Sequence, residues 1–261
     1  MCEAAAVSSV RPHSRFAQLS RCTCRALGIR IMRTENWLPL IGLLLVIPCH
    51  TVEARPVRAE AQLWYTVSAQ GGIGEHLLYY LEAQPRFGKD DARGILRSAG
   101  GVRLAQDMSL WLGQGWFPSW RWEGDPALRQ GESRLFQQFL YTPKFAQVRG
   151  TLRARLEQRF LPGTTEVSHR GRVMLRGAHP VAAEGRLSLI VWDEVFYHLS
   201  SVANGPSAGF DMNRVFVGAG WKYGDHSSVE VGYLNVFTRR PYAETEQLIH
   251  TLSVAMPFNY M

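Results

Sequence analysis

Polar and apolar residues alternate with a period of two over residues 148–160 and again over 166–177. One side of the first run carries Arg149, Thr151, Arg153, Arg155, Glu157 and Arg159. In the second run Arg170, Arg172 and Arg176 share a side, while Val173 and Leu175 face away. This period is typical of β-strands. Such strands lie either on a solvated sheet or in the wall of a membrane barrel, with the polar side in the lumen.

The chain from residue 55 onward is predicted to be strand after strand, with no convincing helical pattern. Turn signals come at intervals of roughly 10–15 residues, which suits antiparallel strands that cross a membrane at a tilt. Residues 118–131, rich in Trp, Pro and Gly, and residues 200–209 are interpreted as loops. The eleven predicted strands are 61–68, 76–87, 94–104, 108–117, 132–141, 148–160, 166–177, 184–198, 211–223, 227–237 and 246–256.

The pattern favours an all-β protein, a closed antiparallel up-and-down transmembrane β-barrel of about 10–12 strands. Short links alternate with longer loops, and aromatic residues cluster near strand ends, as at a membrane–water boundary. The alternative is a secreted soluble barrel or sandwich that carries a lipid or another ligand, with its arginines facing outward. Eleven strands is an odd number, whereas bacterial single-chain barrels have even numbers. Either 61–68 is not a wall strand, or 118–131 hides another.

Charge and cysteine are concentrated before residue 55. The formal net charge is +7, but residues 55–261 contribute only about +4 of it, and their arginines are spread over many strands. This distribution does not favour nucleic-acid binding. All four cysteines precede residue 55, which suits export of the remainder to an oxidising compartment. No run has the 18 apolar residues of a transmembrane helix.

Residues 32–54 are predicted to be a signal peptide, preceded by a mis-assigned or disordered extension over 1–31. Residues 37–47 form an apolar run of signal-peptide length, and small residues lead to a cleavage site after Ala54. Lipoprotein processing at Cys49 and a buried helix of the mature domain are the alternatives. Residues 55–261 then form one barrel domain, exported through the periplasm to the outer membrane of a Gram-negative bacterium.

The order of motifs in the second half resembles a bacterial family catalogued as domain of unknown function 2490, whose members are thought to be outer-membrane β-barrels. The motifs are 155–160 (RLEQRF), Arg170 with Arg172, 192–196 (WDEVF), 209–214 (GFDMNR) and 230–234 (EVGYL). Gln84-x-Arg86 and Glu132-x-Arg134 echo it in the first half. The resemblance covers about residues 61–258. It implies outer-membrane lipid and the assembly machinery as partners, but no activity.

The ending of the chain departs from the usual outer-membrane pattern. Such chains usually end on an aromatic residue that the assembly machinery recognises, whereas here Phe258 is followed by three more residues.

The arginine-rich face is the candidate site. Its eight residues are Arg149, Arg153, Arg155, Glu157, Arg159, Arg170, Arg172 and Arg176, with Glu194 as a further candidate. We expect a lumenal ladder of Arg–carboxylate pairs that holds the wall together, since guanidinium groups bind carboxylates in a bidentate manner. A narrow anion-selective path or a site for phosphate or carboxylate groups is the functional alternative.

An enzyme acting on lipid or peptide at the barrel rim is the other alternative. Ser188, Glu194 and His198 share one predicted strand face, but Ser188 and His198 are about 33 Å apart at the usual rise per residue. They cannot form a triad. His169, His226 and His250 lie near strand ends and could join Asp211 or Asp225. No metal-ligand spacing or phosphate-binding loop is found, and Gly218-x-Gly220 lies within a strand, so we expect no cofactor and no catalytic residues.

Overall fold

Extended strand accounts for nearly all of the computed structural model, which describes residues 55–121, 129–239 and 245–260. Its strands are β1 (Val57–Ile73), β2 (Leu77–Ala83), β3 (Arg86–Phe87), β4 (Asp91–Arg93), β5 (Leu96–Ala105), β6 (Met108–Arg121), β7 (Arg129–Tyr141), β8 (Lys144–Phe145), β9 (Val148–Phe160), β10 (Val167–Ala182), β11 (Leu187–His198), β12 (Gly209–Lys222), β13 (Ser228–Thr238) and β14 (Glu246–Tyr260). One 3-10 turn, Ala183–Gly185, follows β10. Among these residues no helix is long and apolar enough to cross a membrane.

The predictions for the N-terminal region lie outside the described residues. They are the extension over 1–31, the signal peptide over 32–54 with its cleavage after Ala54, and the alternative at Cys49.

The strands close into an all-β barrel of eleven strands. Three of the wall strands are built from two segments each. Both β2 and β3 pair with β1, both β4 and β5 pair with β6, and both β7 and β8 pair with β9. Wall strands that follow one another in the chain are antiparallel neighbours in the sheet, so the up-and-down order predicted from the turn signals is confirmed.

The barrel is closed by a parallel pair, β1 with β14. Their register runs from Val57 opposite Glu246 to Gly71 opposite Tyr260. Because strand direction alternates around the ring, an odd number of strands makes the first and last strands run the same way. The eleven predicted strands are therefore complete: residues 61–68 lie in a wall strand, and the ring closes without a twelfth.

Two of the predicted strands end too early, shortly before a proline. Pro118 was expected to open a loop and Pro180 to lie in a turn, yet β6 continues to Arg121 and β10 to Ala182. At both prolines the pairing register shifts, between Phe117 and Ser119 in β6 and between Pro180 and Ala182 in β10. In β6 the residue left out of the ladder with β7 is Pro118 itself, so its missing N–H breaks no hydrogen bond to β7, whereas in β10 the residue left out is the next one, Val181.

The two ends of the barrel differ in the length of their connections. At one end, called the short-turn end, the links are 74–76, 106–107, 146–147, 183–186 and 223–227. At the other, called the long-loop end, they are 88–90, 122–128, 161–166, 199–208 and 239–245. The N-terminal end of β1 lies at the long-loop end and the C-terminal end of β14 at the short-turn end.

Part of the interior is packed with apolar side chains, called the apolar cluster. Its members are Trp64, Ala178, Ile190, Phe216, Leu234, Val236 and Ile249. Phe216 stacks on Trp192 with ring centroids 5.4 Å apart. A Cβ atom on Gly232 would lie 2.5 Å from the Cα of Gly218 and 2.6 Å from the Phe216 ring. The paired glycines therefore provide the space in which this ring lies flat against the wall.

Candidate functional site

The arginine-rich faces of β9 and β10 are buried, and their apolar faces are exposed. In register, Arg155 lies opposite Arg172, and Glu157 lies opposite Arg170. These four residues are 6%, 4%, 1% and 4% exposed, respectively, whereas Val173 is 51% exposed. In a closed single-layer barrel, a buried side chain of the wall faces the interior. In β9 and β10 the charged face of the period-two pattern therefore lies inside the barrel, and the apolar face lies outside.

Glu157 is the centre of the buried charges. Arg170 donates to its Oε2 from Nε at 3.0 Å and from Nη2 at 2.6 Å, and Arg172 Nη1 donates to its Oε1 at 2.5 Å. Arg134 Nη1 lies 3.5 Å from Oε2. A carboxylate out of contact with water needs such partners, because an unpaired buried charge costs several kcal/mol.

Glu194 is a second carboxylate shared by several arginines. Its Oε1 accepts hydrogen bonds from Arg172 Nη2 at 2.7 Å and Arg153 Nη2 at 2.9 Å. Arg214 Nη1 lies 3.9 Å from its Oε2. Arg172 therefore bridges Glu157 on β9 and Glu194 on β11, and it links three strands through one guanidinium group.

Further pairs connect strands that are not neighbours in the wall. Arg170 on β10 reaches Asp211 on β12 at 2.8 Å, and Arg176 on β10 reaches Glu230 on β13 at 2.7 Å. The first contact passes over the interior face of β11, and the second passes over β11 and β12. Together with Arg97–Glu82, Arg134–Glu132, Arg159–Glu132 and the pairs above, they form what is called the ion-pair network.

Aromatic rings lie beneath the guanidinium groups. Phe196, which is fully buried, has Arg172 at 4.4 Å, Arg214 at 4.6 Å and Arg170 at 5.0 Å from its ring centroid. Phe136 lies 4.1 Å from Arg155 in the same way. These cation–π contacts fix the planes of the arginines from which the ion pairs are made.

Seven of the eight predicted site residues make ion pairs inside the barrel: Arg153, Arg155, Glu157, Arg159, Arg170, Arg172 and Arg176. Arg149 does not join them. It is exposed near the short-turn end and has no ion pair with the described residues. The part these residues play in the protein stays a prediction.

Several members of the network were not predicted from the sequence. Glu82 and Arg97 were not singled out, and Asp211, Arg214 and Glu230 appeared only in family-like motifs or, for Asp211, as a possible partner of a histidine. Glu132 and Arg134 were likewise noticed only as a family-like motif, although their spacing of two places both on one strand face. That spacing was the signal that could have found them.

One histidine of the described barrel lies against an acidic group. His198 Nε2 on β11 lies 3.3 Å from Asp211 Oδ1 on β12. Of those proposed for a rim site, His226 Nδ1 contacts the Asn259 carbonyl, and His250 Nδ1 contacts the Tyr233 hydroxyl at 2.6 Å. In the described ranges no three His, Cys, Asp or Glu residues are grouped so that they could hold a metal ion.

Two interior cavities lie on either side of the network. The cavity at the short-turn end has a volume of about 780 Å³, and the one at the long-loop end about 520 Å³. Along β9, the inward residues Arg153 and Arg155 line the first cavity and Arg159 lines the second. Glu157 lies between them with 1% exposure, so the network separates the two spaces.

Comparison with known proteins identifies relatives without an assigned activity. The family described as protein of unknown function (DUF2490) matches residues 61–247. An uncharacterized protein of Methylorubrum extorquens is 32% identical over 229 residues, which cover 85% of this chain and 96% of that protein. No solved structure matches the chain.

Proposed function

The chain belongs to the DUF2490 family of proteins of unknown function, and we propose that it is an outer-membrane β-barrel whose interior is closed by ion pairs. The role is structural: the network joins the strands of the wall from inside. The proposal includes export by a signal peptide over 32–54 and insertion by the outer-membrane assembly machinery.

One observation carries the proposal, the inverted distribution of polarity. Large apolar side chains are exposed on the outer face all around the ring, for example Leu77 at 54%, Leu112 at 63%, Leu189 at 48% and Leu252 at 54%. Soluble monomers rarely expose continuous apolar surface of this extent. The soluble carrier would need the opposite arrangement, with its apolar faces inward.

Exposed aromatic residues near both barrel ends support the same proposal. Trp116, Trp120 and Tyr197 lie toward the long-loop end, and Trp221 and Tyr260 lie toward the short-turn end. Two such girdles flank the apolar band of membrane barrels, because ring side chains favour the boundary between lipid and water.

Cell fractionation tests the location. We expect the protein in the outer-membrane fraction, resistant to carbonate extraction, with a folded band that migrates differently from the boiled one on a denaturing gel. Recovery as a soluble periplasmic protein would contradict the proposal. The same sample, analysed by N-terminal sequencing, tests cleavage after Ala54.

A narrow anion-selective pore is the second candidate, favoured by the basic residues that line both cavities. The network between them predicts that the wild-type barrel reconstituted in a planar bilayer gives no steady conductance. Stable, anion-selective conductance steps would contradict the purely structural role and would support the pore.

The enzyme alternative has one contact in its favour, the His198–Asp211 pair. A hydrolase also needs a nucleophile within reach of the base. The Ser168 hydroxyl and His198 Nδ1 are both buried, and neither has a hydrogen-bond partner among the described residues. The two are therefore not bonded to each other, and we do not propose catalysis.

A further inference from the structure

The cavity at the long-loop end has an excess of positive charge. Nine arginines line it, against three carboxylates, those of Asp91, Glu132 and Asp211. The ion-pair network does not remove this excess. In the network nine arginines share six carboxylates, and a tenth arginine, Arg86, has no ion pair with the described residues.

Arg86 and Arg214 are the two cavity-lining guanidinium groups whose hydrogen bonds go to neutral atoms. Arg86 donates from Nε and Nη2 to the side-chain oxygen of Gln84, at 2.9 and 2.5 Å. Arg214 Nε donates to the sulfur of Met212 at 3.1 Å, and the nearest carboxylate, Glu194, is 3.9 Å from Nη1.

A single indole holds both groups in place. The Cζ atoms of Arg86 and Arg214 lie 3.7 and 5.3 Å from the ring centroid of Trp64, which is 3% exposed. The Trp64 ring is fixed in turn, because its Nε1 donates to Gln62 at 2.8 Å. Cation–π contacts orient the guanidinium planes, but they do not neutralise the two charges.

We propose that this cavity binds a phosphate group, with Arg86 and Arg214 as its principal ligands. Two like charges in a poorly solvated interior are costly unless an opposite charge is present. A phosphate dianion matches two guanidinium groups in charge, and its oxygens fit their planar forks. The cavity, with a volume of about 520 Å³, is larger than a phosphate ion. The site does not depend on the proposed location in a membrane.

The test uses the full chain refolded in detergent micelles and titrated with inorganic phosphate at constant ionic strength, set with sodium chloride. We expect saturable binding by calorimetry, with a matching change in tryptophan fluorescence. Arg86→Gln and Arg214→Gln should each weaken binding at least about tenfold, since a hydrogen bond to a charged group contributes roughly 1.5–3 kcal/mol.

Three further variants make the result specific. Arg149→Gln, at the short-turn end, should bind phosphate like the wild type. Trp64→Phe should weaken binding, but less than Arg86→Gln does, because a phenyl ring still faces the guanidinium groups, and it should remove most of the fluorescence change. Arg86→Lys, which keeps the charge and loses the fork, should fall between the wild type and Arg86→Gln, and it serves if Arg86→Gln does not give a folded band on the gel.

Three outcomes would overturn the site. They are the absence of saturable binding by the folded wild type, wild-type affinity in both folded Gln variants, and acetate binding as tight as phosphate binding. The last outcome would show that a single negative charge is sufficient and that the phosphate class is wrong.

Discussion

The two sides of the barrel interior are filled by different chemistry behind the same apolar outer face. On the side of β7, β9 and β10, guanidinium groups and carboxylates form directional contacts, many of them shared. The apolar cluster, with most of its members on β12, β13, β14 and β1 and with Ala178 on β10 and Ile190 on β11, fills the space by shape. Outward leucines and valines occur on both sides, so the outer face does not explain the difference.

The comparison shows how each side depends on its members. Glu157 pairs with four guanidinium groups, so its loss leaves several charges with fewer partners. A residue of the apolar cluster loses only its own contacts and leaves a cavity. We therefore expect the loss of one network carboxylate to lower the free energy of unfolding more than the loss of one large side chain of the cluster.

The largest effect is predicted for Glu157→Gln. Removing one partner of a buried charge group costs about 3–5 kcal/mol of unfolding free energy. Urea unfolding of the refolded barrel, followed by the loss of the folded gel band, measures it. Glu60→Gln is the matched control, because the partner of Glu60 among the described residues is the largely exposed Arg58, so its loss should change the free energy little. A loss below about 1 kcal/mol for Glu157→Gln would contradict a network-held wall.

Leu234→Ala in the apolar cluster is expected to cost somewhat less, about 2–4 kcal/mol. Leu234 is 1% exposed, and its truncation leaves a cavity that the rigid wall cannot close. The same unfolding measurement applies. Leu252→Ala, outward on β14 and 54% exposed, is the control with the same chemical change and should cost clearly less. Equal losses at the two positions would show that the cluster is not a packed core.

Gly232→Ala tests the close approach within the cluster and is predicted to cost about 1–3 kcal/mol. The new methyl group would overlap the backbone of β12 and the Phe216 ring, so the ring must move. Gly100→Ala adds the same group on β5, where nothing lies within 4 Å, and should be nearly neutral. A neutral Gly232→Ala would mean that Phe216 is not held against the wall as described.

The smallest effect is expected for the pair Arg176–Glu230, whose side chains are 23% and 17% exposed. A double-mutant cycle with Arg176→Gln and Glu230→Gln should give a coupling of about 1 kcal/mol or less, reduced by added salt. A coupling free energy as large as the effect of Glu157→Gln would contradict the expectation that partly exposed pairs contribute less than the buried centre of the network.

The strands of the charged side could be predicted because their two faces differ in chemistry. In β9 and β10, Arg and Glu alternate with Leu, Val and Gly, so both the strands and the buried residues followed from the pattern. In β13 both faces are largely apolar: Val231 and Tyr233 face outward while Leu234 and Val236 face inward. There only the flanking turns located the strand, and the apolar cluster was not predicted.

Glu157 and Glu194 were predicted as partners of the arginines, but the more distant partners could not be read from the sequence. Asp211 and Glu230 lie on strands that are not neighbours of β10, so their contacts depend on how the ring closes and on its stagger. The period-two pattern gives the face of each residue but not its height along the barrel. Pro118 and Pro180 misled the boundaries for a related reason, since nothing in the local sequence marks a bulge that tolerates proline.

The parallel seam between β1 and β14 has a consequence for the order of assembly. Each antiparallel neighbour can form as a hairpin, whose turn brings the strands together and sets their register. The seam has no turn, joins the two ends of the sheet, and requires closure of the longest loop in the molecule, so it forms last. A parallel ladder is also slightly less stable per residue than an antiparallel one. We expect the seam to be the first part of the ladder to open, so its backbone amides should exchange with solvent before those of β9 and β10.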